Sequence, residues 1–293
     1  MIDDTQLPEL ESYSPPKADV YVGMIGLTNS GKTTFVNTVD DTRGTEPRWD
    51  IVPVGKHIFQ QIAEAPSIIE TPKGTTLDEI TFYEFRCERI SRTGLVVERR
   101  PRTYHLCILD VAGGVTTPRA VDPSRAEKVY RDYYSGCHAL IIFFPYYHLI
   151  HDQEWATDFS NHLKLVRAAL VGVNANPKIT VFCMSQMDYL PFVQWFEPGL
   201  RHKIINSVIL SNSRLGDAVV QYTGRWKTRW SFVTAHGFED DGTNKQSPNL
   251  NGEPRNDTNP RKKNPNATPI GVRGLIEDIL DECTQSRTPL SIR

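Results

Sequence analysis

The 293-residue chain has almost no net charge, few cysteines and no long apolar run. Lys and Arg number 33 against 35 Asp and Glu, a formal net charge of −2. No global basic field therefore points to nucleic acid, and no polybasic tail points to an anionic membrane. The longest apolar run, Ala139–Phe144, has strand length and falls far short of the ~20 residues of a membrane span. The stretch Met1–Ser14 is acidic and polar, unlike a signal peptide. The five cysteines, Cys87, Cys107, Cys137, Cys183 and Cys283, form no C-x-x-C pair. Four lie in or beside apolar strand-like runs, so they read as buried reduced thiols rather than disulfides or metal ligands. A cytoplasmic location is the matching expectation.

What is present is an ordinary globular composition, 39% hydrophobic and 23% charged, enough for a real core. Apolar strand patterns fall at Val20–Ile25, Glu79–Cys87, Tyr104–Leu109, His138–Phe144, Lys178–Met184 and Trp230–Thr234. Helical patterns fall at Lys32 to about Val39, Pro123–Ser135, Asp152–Val171, Leu200–Tyr222 and Val272–Cys283. A weaker helical stretch lies near His57–Ala65, and a hairpin-like neighbour at Leu95–Glu98. Strands alternating with helices predict an α/β fold, a mostly parallel sheet of about six strands with helices on both faces. Residues 1–18 and 286–293 read as tails around one domain over 19–285. Glu239–Pro269 is rich in Asn, Pro, Gly, Asp and Lys and cannot bury enough surface to offset its ordering entropy. It reads as a flexible insertion.

Gly26-Leu27-Thr28-Asn29-Ser30-Gly31-Lys32-Thr33 matches G-x-x-x-x-G-K-[ST], follows an apolar strand and opens a helix. Glycines let backbone N–H groups wrap a polyphosphate. Lys32 is expected on the β- and γ-phosphate oxygens, and the Thr33 hydroxyl on Mg²⁺. Asn29, Ser30, Gly31, Lys32, Thr33 and Thr34 form the expected phosphate-contacting set. Kinases, ATPases and GTPases share this loop, so the loop alone leaves the nucleotide open.

Asp110-Val111-Ala112-Gly113 sits at the end of a buried strand, where ligands bind in open α/β sheets. Asp110 is placed to hold Mg²⁺ through water, and the Gly113 N–H to touch the γ-phosphate. Ser185-Gln186-Met187-Asp188 follows the strand Lys178–Met184. With these boxes in order, the chain resembles the GTPases of the translation-factor and Ras-like superclass. That resemblance implies a P-loop three-layer sandwich over about residues 20–283. In that class the box after this strand is usually [NT]-K-x-D, whose aspartate reads the guanine N1 and N2 groups. Asp188 matches it; Ser185 and Gln186 depart, although the Gln186 stem is long enough to cover a base. Thr234-Ala235-His236, closing the last strand, resembles the S-A-x box, in which the alanine N–H contacts guanine O6; here that is Ala235. The switch threonine is expected in Pro72-Lys73-Gly74-Thr75-Thr76-Leu77, either Thr75 or Thr76, with Thr76 nearer the strand, as a further Mg²⁺ ligand. The long segment between the loop and Asp110 looks most like bacterial enlarged or double-GTPase type domains.

Gly114 stands where Ras-like enzymes carry the glutamine that orients the attacking water. The resemblance therefore implies slow intrinsic turnover, with the missing group supplied by a partner, a dimer or another residue. Asn29 matches the asparagine of potassium-stimulated Era-like and FeoB-like GTPases, which implies K⁺ as a cofactor beside Mg²⁺; the alternative is that Asn29 only hydrogen-bonds the loop. The leading expectation is a GTP-dependent switch with a protein effector or activator, no nucleic acid and no membrane span. An ATP-type phosphotransferase and a non-hydrolysing nucleotide-dependent scaffold are the alternatives. His148 and His151, even with Asp152 beside them, are not joined by the further suitably spaced ligand a metal site needs. Tyr146–Tyr147, Trp195–Phe196 and Trp226–Trp230 read as core or interface, since no basic groove accompanies them.

Overall fold

A computed structural model of the chain describes residues 16–41, 46–55, 80–90, 102–111, 127–128, 130–187, 197, 199–238 and 268–284. Among them a seven-stranded sheet runs in the order β2-β3-β4-β1-β5-β6-β7. The strands are β1 Val20–Ile25, β2 Trp49–Pro53, β3 Ile80–Arg89, β4 Thr103–Val111, β5 Ala139–Pro145, β6 Ile179–Ser185 and β7 Thr228–Phe232. β4, β1, β5, β6 and β7 are parallel; β2 and β3 are antiparallel to their neighbours. β1 and β5 are fully apolar toward both faces because both faces are covered.

One face carries α3 Gln153–Gly172 and α5 Ser213–Thr223, which pack Phe159, Leu163, Leu215 and Tyr222 against Phe144 and Phe182. The other face carries α1 Lys32–Val36 and α6 Val272–Thr284, which pack Phe35, Leu275 and Ile279 against Met24 and Phe143. The expected α/β three-layer arrangement is therefore the observed one, with seven strands rather than six. β1 lies between β4 on one side and β5 on the other, so the strand order reverses at its C-terminal end. A crevice at such a reversal is where open α/β sheets bind ligands.

Several local expectations change. α1 stops at Val36, not Val39, because Thr38 Oγ1 donates to Phe35 O over 2.9 Å and the chain tightens into turns. A short helix, α2 Tyr146–His151, directly follows β5, where the sequence pattern marks no helix. The stretch Leu200–Tyr222 divides into α4 Leu200–Ile204, a π-helical turn Ile205–Leu210, and α5. The break falls at Asn212, whose side chain accepts from Leu215 N at 3.1 Å and caps α5. Trp230–Thr234 is not one strand. β7 ends at Phe232, Val233 N makes a last bond to Met184 O at 2.9 Å, and Thr234 opens a separate ribbon. That ribbon pairs β8 Thr234–Phe238 with β9 Thr268–Ile270, so Thr268 and Pro269 are strand residues. Residues 1–15, 239–267 and 286–293 lie outside the described residues; the last residues of the expected N-terminal tail are tied to β1, Tyr21 Oη donating to Pro16 O at 2.6 Å.

Candidate functional site

The loop between β1 and α1 sits at the reversal point. Asn29 and Gly31 both take left-handed backbone, φ 62 and φ 91. Such alternation turns successive amides toward one concave side, the geometry that receives an anion. Ser30 N donates to Leu27 O at 3.3 Å and closes the turn. Gly26 is required by space: a Cβ there would lie 2.6 Å from Ser30 Oγ and 3.1 Å from Phe143 Cβ. Thr28 and Asn29 are exposed at the tip, while Ser30 is buried.

Lys32 is buried and folds back on the loop. Its Nζ donates to Gly26 O at 2.7 Å and to Leu27 O at 3.3 Å. Burial pulls its pKa below the ordinary lysine value, and the Asp110 charge opposes that fall. The next residue makes the second connection: Thr33 Oγ1 donates to Asp110 Oδ2 at 3.1 Å. Asp110 is fully buried near the C-terminal end of β4, beside Met24 in register. Thr34 is half-buried on the first turn of α1.

The end of β6 fastens the loop from behind. Ser185 Oγ donates to Ser30 O at 2.7 Å, and Gln186 Nε2 donates to Asn29 O at 2.7 Å. Gln186 achieves this from left-handed backbone, φ 57. The Asn29 and Ser30 carbonyls need donors, and these two side chains supply them. Met187 N then donates to Val233 O at 3.4 Å, so the segment before Asp188 adjoins the segment before Ala235. Ala235 is half-buried in β8.

The structure thus gathers Asn29, Ser30, Gly31, Lys32, Thr33, Thr34, Asp110 and Gln186 at the C-terminal ends of β1, β4 and β6, with Ala235 two residues beyond Val233. Thr75, Thr76, Gly113, Gly114 and Asp188 lie outside the described residues. Ser185, which reads in the sequence only as a departure from a pattern, is a strut of the loop; a hydroxyl directly after a buried strand was the available signal. His148 and His151 sit on α2, and among the described residues no three potential metal ligands cluster. Trp226 and Trp230 belong to or pack against the α3–α5 core.

The Thr33 hydroxyl and the Asp110 carboxylate are hard oxygen donors already facing each other beside a buried ammonium. That donor set fits Mg²⁺, which takes a carboxylate or two and leaves its other positions to water and phosphate.

No family model matches the chain, and no curated protein matches it either. Solved structures similar to it include the signal recognition particle receptor SRb-GTP/SRX complex from Chaetomium thermophilum. Identity there is 14%, over 77% of this chain and 94% of that one, with a TM-score of 0.42. Another is the ADP-ribosylation factor-like GTP binding protein, small COPII coat GTPase SAR1, from Encephalitozoon cuniculi in complex with GDP. Identity is 12%, over 74% of this chain and 70% of that one, with a TM-score of 0.33. The functional reading rests on the loop's own residues. No described helix is long and apolar enough to cross a membrane.

Proposed function

We propose that the chain binds GTP with Mg²⁺ at the Gly26–Thr33 loop and acts as a slowly hydrolysing switch. The observation that carries this is the joining of the loop's Thr33 to buried Asp110 at the reversal point of the sheet, with Lys32 beside them. The loop amides and the Lys32 ammonium would hold the β- and γ-phosphates. Thr33 and Asp110 would hold Mg²⁺, with Thr75 or Thr76 as a further ligand; the ion supplies positive charge against the phosphate oxygens. Lys32 must exchange two carbonyl partners for phosphate oxygens, so it is poised rather than preset.

Guanine selection is assigned to Asp188, the Gln186 stem and the Ala235 N–H. Ser185 and Gln186 support this reading because they tie the base-reading segment to the loop, so base and phosphates would be held by one connected unit. Gly114 offers no side chain to orient water, which implies low intrinsic turnover and an activating partner. Asn29, exposed at the loop tip, is the residue through which K⁺ would act. The test is competition among GTP, GDP and ATP for the chain with Mg²⁺ present, beside Lys32→Ala. Guanine preference in the unaltered chain, and weaker binding of every nucleotide in the variant, are expected; equal affinity for ATP would overturn the guanine assignment.

A further inference from the structure

Arg273 and Glu277 of α6 lie outside the loop, yet their side chains are only 3% and 4% exposed. Arg273 Nε donates to Glu277 Oε1 at 3.2 Å. Its other nitrogens donate to main-chain carbonyls, Nη1 to Val39 O at 3.4 Å and Nη2 to Trp49 O. Glu277 accepts from Arg48 N at 2.9 Å, Trp49 N at 3.3 Å and Arg48 Nε at 3.2 Å. Val39 lies in the turns that follow α1, and Arg48 leads into Trp49, the first residue of β2. The pair therefore grips main chain on both sides of the connection leaving the phosphate loop's own helix.

A buried ion pair costs much to desolvate and is weak evidence for stability; its best-attested use is to fix register. Here the register is that of the α1 exit against β2. The rungs to β3 use Val54 N and Arg48 O, which leaves the Trp49 main-chain groups facing outward from this edge strand. Arg273 and Glu277 take both of them. The grip extends along α6. Arg48 Nη1 donates to Asp281 Oδ2 at 2.5 Å and Arg48 Nη2 to Asp278, while Trp49 Nε1 donates to Asp281 Oδ1 at 3.0 Å. Arg229 of β7, from the opposite edge of the sheet, also donates to Asp278.

We propose that α6 is a clasp that positions the α1 exit and β2, and that its hold on Arg48 is a control point for nucleotide retention. The inference rests on the nucleotide reading above. Coupling of this kind is reciprocal: a ligand on the loop tightens α6, and a loosened α6 releases the ligand. The Arg48 side chain is 40% exposed and that of Asp278 31%, so both can be changed without opening the core.

The experiment loads the full chain with fluorescent GDP and Mg²⁺ and follows its release after a chase with unlabelled GDP. Arg48→Ala and Asp278→Asn should each release GDP about tenfold faster, and Arg48→Lys should restore part of the loss. Amide hydrogen exchange over 272–284 should slow when GDP binds the unaltered chain, and slow less in the two variants. Release rates within about twofold of the unaltered chain, with only the urea midpoint lowered, would reduce α6 to a structural brace and overturn the proposal. Failure of the unaltered chain to retain GDP or GTP at all would instead bring down the nucleotide reading, and this inference with it.

Discussion

Thr33 Oγ1 donates to Asp110 Oδ2 across 3.1 Å, joining residues 77 positions apart at the mouth of the β1–α1 loop. If this pair holds Mg²⁺, its loss should show in the ion's coupling to the nucleotide. Asp110→Asn, which keeps the shape and removes the charge, should weaken Mg²⁺-dependent GDP binding by about 2 kcal/mol, as expected for a charge-assisted contact. Titrating Mg²⁺ at fixed GDP reads this directly. An unchanged Mg²⁺ midpoint would remove Asp110 from the ion's shell.

Gly26 is fixed by its neighbours more than by its own backbone. An added Cβ would meet Ser30 Oγ at 2.6 Å and Phe143 Cβ at 3.1 Å. Gly26→Ala should destabilise the chain by about 1–3 kcal/mol through overpacking, and should reshape the loop as Ser30 yields. Urea unfolding measures the first effect and GDP affinity the second. A variant as stable as the parent would mean that the loop moves aside freely.

Asn29 stands exposed at the loop tip with its carbonyl held by Gln186. Hydrolysis of GTP should be slow and should run faster in KCl than in NaCl at matched ionic strength, with Asn29→Ala abolishing the difference. Equal rates in the two salts would reject the potassium role. Rapid single-turnover hydrolysis by the isolated chain would contradict the consequence drawn from Gly114.

Asp278 predicts a pH dependence. Burial works to raise its pKa, but hydrogen bonds from Arg229 and Arg48 and their charges outweigh it and hold the carboxyl below its ordinary value. A depressed acid binds its proton less readily folded than unfolded. Its contribution is thus complete above the ordinary carboxylate pKa and is lost as pH falls through the folded one. Urea midpoints should drop below about pH 4, and Asp278→Asn should flatten part of that drop. An equal slope in both proteins would show that the arginines do little for this carboxyl.

Much of the fold can be read in the residues because the decisive signals are local. Val20–Ile25 is a buried strand running directly into the loop, and Ala139–Phe144 is apolar at every position; both appear where their patterns place them. Asp110 and Thr33 are recognisable by residue type at a strand end and a helix start. β2 is another matter. Trp49-Asp50-Ile51-Val52-Pro53 is short, ends in proline and follows an irregular charged stretch. It becomes a strand through β3 and through side chains of α6 more than 220 residues away, such as Glu277 on Arg48 N, 229 positions apart. Ser185 and Gln186 are visible as departures from a box. Their bonds to Ser30 O and Asn29 O, across 155 and 157 positions, depend on which strand lies beside the loop. The split after Phe232 is likewise decided by pairing with Thr268–Ile270, which no local pattern announces.

The loop amides, with Lys32 drawn away from Gly26 O and Leu27 O, are expected to hold a guanine nucleotide. Calorimetric titration of the full chain with GTP, GDP and ATP in the presence of Mg²⁺ asks this most directly. The expected result is saturable binding of GTP and GDP, weaker binding of ATP, and a loss of about tenfold or more in Lys32→Ala. Absence of heat with all three nucleotides, or an affinity indifferent to Lys32, would contradict it.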